Sequence, residues 1–597
     1  MSIKNPARVL HNVLLPLLVF SIVSIILMYP VSLHPGEMIN GRPFEDAFEY
    51  IWYLFWYKSA LLDLGVSPLF QPNIFYPEGW NLVFAAFPPV YPTLAVPFTA
   101  ILGEVLTYNL FILASCVFAA YGTYMLARSL GSNQLGGLFA GIGFAFFPQR
   151  AVYFGGHLNF LTGSMWLPWL FYGLVQAKAK PAGRSRWMAF AGLSLAMSIA
   201  GSWHFVFIST ISAGIFALIL LWPEVRRGDG LRPWLRPMAV FVATAAIIIG
   251  PFLLNAALAH RRLGGDEMFS FAGTNASSVS LERFFVPSAI NPLFSTLARE
   301  TFPLTNGQDG VVMFGYIVLL AVVVALFRLR PWSTAVRALV GTAVLALLLM
   351  MGPMFHWWGN PIAVNPPGAE TIRQTIPELA LDDGAVGIPM PALALYLLVP
   401  PFRTFHSFSR WGLPAALALS TLAGLGVTYL LQNRRSPVIR ALMGPAFLVI
   451  LLIEFNTLPL PYTTNISDIQ RGVDDWLASQ PEQSVIIEYP FSYTLKGQTL
   501  YYTIEHGQKI VHGAGSIFPT GFANRLPVLN RWPSDETVDL LAGLGVRYVV
   551  VHAYKTRDKF DEEELPGILS GGRVRLIETF DEAIGPIQAS YLFEVIQ

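Results

Sequence analysis

Long apolar runs separated by short polar joints occupy the first 460 or so residues, after which the pattern changes to short alternating segments. The first run, Leu14 to Tyr29 with its flanks, follows Lys4 and Arg8 and has no small-residue cleavage site behind it. It reads as an uncleaved signal anchor with a cytoplasmic N-terminus. A membrane crossing needs about 20 apolar residues. On that criterion further spans are predicted at 105–127, 135–149, 159–176, 187–203, 205–222, 237–258, 310–328, 333–352, 412–432 and 441–459. With the first run they make about eleven transmembrane helices. Two other apolar stretches, 84–103 and 389–401, carry Pro88, Pro89, Pro92, Pro97 and Pro389, Pro391, Pro400, Pro401. They read as re-entrant or interfacial segments rather than spans.

The joints supply an orientation. Four short ones are basic: Lys178, Lys180, Arg184 and Arg186; Arg226, Arg227, Arg232 and Arg236; Arg328, Arg330 and Arg337; Arg434, Arg435 and Arg440. Short basic loops stay in the cytoplasm. Starting inside and crossing at every run puts all four inside, and puts 34–104, 259–309, 353–411 and the tail outside. The predicted organisation is a signal-anchor helix (1–33), a first extracytoplasmic loop with interfacial helices (34–104), a multi-span domain (105–459) and an extracytoplasmic α/β domain (460–597).

In that last part SVIIEY, KIVHG, RYVVVHA and VRLIETF read as strands, and VDDWLASQ and SDETVDLLAGLG as helices. Ser534 and Asp535 suit the start of the second helix and Gly545 its end. The tail carries no phosphate-cradling glycine loop, no nucleophile elbow and no distinctive triad, so an accessory role is expected.

Composition narrows the class. The chain of 597 residues is 54% hydrophobic and 13% charged, with a mean hydropathy of +0.52, against about 25% charged residues in soluble proteins. It is predicted to be an integral membrane protein. A net charge of +1 offers nothing to a polyanion, which excludes nucleic acid as a partner. Cys116 is the only cysteine, so no intrachain disulfide exists. The ten histidines are scattered without metal-ligand spacing, and no metal is expected.

One stretch of the first loop carries candidate chemistry: GRPFEDAFEYIWYLFWYKSALLDL, Gly41 to Leu64. As a helix it places Asp46, Glu49 and Tyr53 on one side and Phe48, Ile51, Trp52, Phe55 and Ser59 on the other, the pattern of a helix lying in a membrane interface. An outer-loop acid running into an aromatic helix resembles the opening of the GT-C superfamily, the multi-spanning glycosyltransferases that use polyprenyl-phosphate-linked sugars. NIFYPEGWNLVF, LTYNLFILAS, AGIGFAFFPQRAVYFGGHLNFLTGSMWLPWLF and PALALYLLVPPFRTFHSFSRWGLPAALALSTLAGLGVTYLL are similar to a poorly characterised prokaryotic family of that layout with an outside α/β tail.

The resemblance implies an inverting transfer of a sugar from a lipid-linked donor to a lipid, glycan or protein acceptor outside the cell membrane. Such chemistry needs a base for the acceptor hydroxyl and groups that hold the leaving phosphate. Asp46 would be the base, with Glu49 as a second acid or orienting group. Arg403, His406 and Arg410 in PFRTFHSFSRW would neutralise the phosphate, and His157 and Asn159 would contact sugar. Glu45 and Asp46 are adjacent rather than one residue apart, unlike the double-acid metal site of oligosaccharyltransferase catalytic subunits. The metal-free members are therefore the closer model, and a divalent metal is not favoured.

Each assignment has a plainer alternative. Asp46 could be a helix-start charge, Glu49 part of a solvated face, Arg403 and Arg410 snorkelling anchors, and His157 and His204 satisfied buried histidines. Two other classes stand beside the enzyme. A lipid or glycan transporter or flippase would bury ionisable groups at the bilayer midplane, whereas the predicted spans are nearly free of them. A non-catalytic scaffold presenting the α/β domain would need no cavity above Asp46.

Overall fold

A computed structural model describes residues 10–596 apart from Phe44, 227–229, 231, 263–269, 302–310, 382–383, His406, Arg435, 516–517, 555–564 and Pro586. Every predicted apolar run contains a helix: Leu15–Leu27, Glu104–Ser129, Gln134–Ala145, Leu158–Ser164 with Leu167–Ala179, Arg184–Gly201, Phe205–Arg226, Arg232–Arg262, Tyr316–Arg328, Thr334–Met350, Gly412–Gln432 and Pro437–Glu454. Among the described residues five helices are long and apolar enough to cross a membrane. The count of eleven spans is therefore carried only in part. Prolines account for two of the shortfalls: the run at 135–149 stops at Ala145 and restarts at Pro148, and the run at 159–176 breaks before Pro168. Proline has no N–H to donate to the preceding turn. The two proline-rich stretches contain only short helices, Val90–Leu102 and Pro391–Leu398.

Gly412–Gln432 is the central helix, 89% of its apolar window being buried, while Arg232–Leu258 lies at the edge with 11% buried. The central helix packs closely because glycines face its neighbours. A Cβ on Gly424 would lie 2.4 Å from the Gly136 carbonyl oxygen, and one on Gly426 2.0 Å from that of Ala321. Without a side chain the backbones approach to van der Waals contact, the common device for helix pairs in lipid.

The C-terminal part folds around a five-stranded sheet in the order Lys509–Ile510, Val485–Tyr489, Val546–Tyr554, Ile587–Val595, Val574–Ile584. The first two pairings are parallel and the last two antiparallel. Ser534 caps the helix Asp535–Gly543 by accepting from the Thr537 amide at 3.3 Å, as its sequence predicts.

The sheet does not end at its short edge strand. Asn73 accepts from the Ile510 amide at 2.9 Å and the Tyr76 amide donates to Ile510 at 3.0 Å, so the first loop lies alongside as a further short strand. A second junction pairs Met38–Asn40 antiparallel with Thr463–Asn465. The first loop thus covers an edge that would otherwise present unpaired amides.

Wedged between bundle and domain is the acid helix, Ala47–Lys58. Every residue from Ala47 to Tyr57 except Phe55 is buried. The two-faced interfacial helix expected from the sequence is therefore corrected. The rings that suggested a headgroup layer pack against protein: Trp52 against Trp80 at 5.7 Å, Phe48 against Tyr501 at 5.5 Å, and the Trp52 indole donates to Thr503 Oγ1 at 3.0 Å. Aromatic side chains with a polar handle serve either environment, and here a second domain takes the place of lipid headgroups.

Candidate functional site

Asp46 sits at the N-terminal end of the acid helix, yet its side chain caps none of the helix amides. It is 56% exposed, with Oδ2 3.8 Å from His157 Nε2. The carboxylate therefore faces outward from the helix start. Glu49, one turn on, is only 6% exposed, which rules out the solvated face. Its carboxylate accepts from the Tyr53 hydroxyl. Burial, and then the nearby Asp46 charge, push the Glu49 carboxyl up to about 8 against the pull of the Tyr53 hydrogen bond, so it holds a proton at neutral pH.

Both acids line a cavity of about 870 Å³ between the bundle, the first loop and the C-terminal domain. Its polar lining includes Asp46, Glu49, Tyr53, Glu78, Asn159, His204 and Lys496, and its apolar lining includes Val206, Phe207, Leu253, Ala256, Ala257 and Phe405. The C-terminal domain contributes Leu495, Lys496, Gly497, Ala514, Phe518 and Thr520 to its lining. Leu253, Ala256 and Ala257 belong to the edge helix Arg232–Arg262, whose Leu254 and Leu258 are 62% and 46% exposed. One helix therefore separates the cavity from the lipid-facing surface.

The other predicted site residues are placed differently from one another. Asn159 lines the cavity, its amide donating to the Ala86 carbonyl at 3.2 Å and its Oδ1 accepting from the Phe160 amide at 2.8 Å. The His157 ring lies tilted against Tyr153, with centroids 5.4 Å apart, and its Nε2 is 3.8 Å from Asp46. Arg410 is buried one layer behind, hydrogen-bonded to His204 Nε2 and lying 4.3 Å above the Phe160 ring. It meets the cavity through His204, which also contacts Ser202 Oγ at 3.1 Å. Arg403 is placed elsewhere: it donates to the Tyr396 carbonyl at 3.3 Å and lies over that ring, while its neighbours Pro401 and Phe405 line the cavity. His406 lies outside the described residues.

His204, Tyr53 and Lys496 were not marked as site residues from the sequence. SWHF at 202–205 was a readable signal for His204. Nothing local marks Lys496, which reaches the cavity only because the C-terminal domain folds back on the first loop. Among the described residues no three His, Cys, Asp or Glu side chains gather as a metal cage would require.

No protein-family model and no curated protein matches the sequence. Solved structures do. The chain superposes on the arabinofuranosyltransferase AftD from Mycobacteria with a TM-score of 0.60 at 16% identity, over 97% of this chain and 40% of that one. ArnT from Cupriavidus metallidurans, bound to undecaprenyl phosphate, superposes with a TM-score of 0.53 at 12% identity over 98% of both chains. The chain has the GT-C fold. A third structure of this fold, the Archaeoglobus fulgidus oligosaccharyltransferase tethered to an acceptor peptide, gives 0.52 at 12% identity over 91% of this chain and 69% of that one. The chain spans two fifths of the mycobacterial enzyme's length and nearly all of ArnT's.

Within this GT-C fold, the cavity combines an outward carboxylate, a neighbouring carboxyl that keeps its proton, a histidine backed by an arginine, and an apolar wall. Those groups can remove one proton, hold another and face an amphiphile.

Proposed function

We propose that the protein is a membrane glycosyltransferase that moves a sugar from a polyprenyl-phosphate-linked donor to a lipid, glycan or protein acceptor on the extracytoplasmic side, with inversion. The observation that carries this reading is the cavity that Asp46 and Glu49 share with apolar side chains of a lipid-facing helix. A headgroup can enter beside the acids while its prenyl chain stays against Leu253, Ala256 and Ala257. The GT-C fold, which ArnT displays with undecaprenyl phosphate bound, supports the same class of donor.

In the proposed reaction the acceptor hydroxyl oxygen attacks the anomeric carbon of the donor sugar. The bond from that carbon to the phosphate oxygen breaks, its electron pair leaves with the phosphate, and the hydroxyl proton passes to Asp46. Attack opposite the leaving group inverts the anomeric centre. His157, 3.8 Å from Asp46, orients the carboxylate. Glu49, protonated at neutral pH, cannot compete as a base and instead holds its proton within the site. A scaffold would leave the space above Asp46 filled.

Changing Asp46→Asn keeps the shape and removes the base. Sugar transfer in membranes should fall by about 10²–10⁴-fold, the usual worth of a positioned general base, with thermal unfolding unchanged. Full activity in the variant removes Asp46 from the mechanism.

A further inference from the structure

The charges that line the cavity do not balance within the first loop. Glu78 is compensated by Arg525, which forms two hydrogen bonds to its carboxylate at 2.7 and 2.6 Å. His204 carries no opposite charge to balance: its Nε2 accepts a hydrogen bond from Arg410. Lys496 also lines the cavity and is exposed, and among the described residues no carboxylate lies within ion-pair distance of it. A lysine and an aspartate thus share one cavity without pairing, leaving room for a group that faces both.

The backbone holds Lys496 at this place. Lys496 directly precedes the helix Gly497–His506, and Gly497 abuts the first turn of the acid helix. A Cβ on Gly497 would lie 2.8 Å from the Glu49 nitrogen and 2.9 Å from the Glu49 Cβ. Any other residue at 497 would push the two helices apart, so the glycine lets the domain seat its lysine beside the acids.

We propose that Lys496, a residue of the C-terminal domain, is the cation that receives the phosphate group of the lipid carrier in this cavity. The proposal rests on the glycosyltransferase reading and changes the part the domain plays: it completes the active site rather than bracing the loops. A lysine is a mobile point charge with three donors, suited to a phosphate whose negative charge grows as the sugar leaves. It also takes over the role expected of Arg403, which is turned to Tyr396.

The test uses the purified full-length protein in detergent and follows its thermal unfolding with undecaprenyl phosphate or inorganic phosphate, because a ligand that binds the folded state raises the midpoint. Undecaprenyl phosphate should stabilise the wild type. Lys496→Gln should weaken its binding by about 10-fold or more, the loss expected for a charged hydrogen bond. Lys496→Arg should restore most of the affinity. Wild-type affinity in Lys496→Gln overturns the assignment of Lys496 and leaves the glycosyltransferase reading intact. No stabilisation of the wild type by undecaprenyl phosphate overturns both. Stabilisation by inorganic phosphate alone, lost in Lys496→Gln, overturns the lipid carrier as its ligand.

Discussion

Two groups of carboxylates, histidine and arginine lie on either side of the seam between bundle and C-terminal domain, and they are built for opposite ends. In the domain, Arg471 holds Asp474 by two hydrogen bonds at 2.7 and 2.6 Å and Glu488 at 2.7 Å. His552 bridges Glu488 and Ser590 at 2.8 Å each, and Ser590 donates to Glu582. None of these six residues is more than 6% exposed. At the seam, Asp46 is 56% exposed, caps nothing and opens on a cavity. Glu488, His552 and Ser590 even stand in the order of a hydrolytic triad, yet the serine is fully buried and its hydroxyl already donates to an acid. Where every charge is answered from within, a polar cluster is structure. Where one faces open space, it is available for chemistry.

Removing the central charge of the closed cluster should have the largest effect on stability. Although burial pushes the Glu488 carboxyl up, Arg471 and His552 together hold it well below the usual carboxylate range. Arg471→Ala would strand two buried carboxylates and empty the space over the Tyr502 ring, 3.6 Å from the guanidinium. A broken buried ion pair costs about 3–5 kcal/mol. The unfolding midpoint should drop accordingly, whereas Asp46→Asn leaves it in place; equal effects of the two substitutions would erase the distinction between the clusters.

Glu49 tests the same contrast through pH. Its carboxyl, near 4.5 when unfolded, is pushed up to about 8 in the folded protein. The folded state therefore binds the proton more tightly. The stability Glu49 contributes is fully present below about pH 4.5 and is lost as pH rises through 8, with a slope of at most about 1.4 kcal/mol per pH unit. Glu49→Gln imitates the protonated form and should flatten the dependence of the unfolding midpoint on pH across that window. An unchanged profile would mean that Glu49 is charged at neutral pH and belongs with Asp46 as an acceptor of protons.

Local chemistry was legible in the sequence and long-range assembly was not. The apolar runs predicted helices because lipid and protein interior both reward them, and Ser534 declared its cap. Asp46 was singled out through its neighbours in the chain and the resemblance they carry. The acid helix was misread because a ring-rich helix looks alike whether a headgroup layer or a second domain covers it. Lys496 escaped because Met38–Asn40 and Thr463–Asn465 pair across more than 400 residues through strands of three residues each, too short for any periodicity. A cavity formed by such a junction has no signature in either segment alone.

The smallest expected effect concerns that junction. Glu78 and Arg525 join the first loop to the helix Thr520–Leu529, with side chains 31% and 20% exposed. Gly521 lies under the pair: a Cβ there would be 2.3 Å from Glu78 Oε1. A partly exposed pair is worth about 1 kcal/mol or less, so Glu78→Gln should barely move the unfolding midpoint. Its expected trace is local. Amides in 520–529 should exchange hydrogen faster, while those of the strand Val485–Tyr489 beside Arg471 keep their protection, because opening one edge of the cavity leaves the closed cluster untouched. Uniformly faster exchange in both segments would show that cavity edge and buried cluster open as one unit, and that the seam is not a separate mobile element of the site.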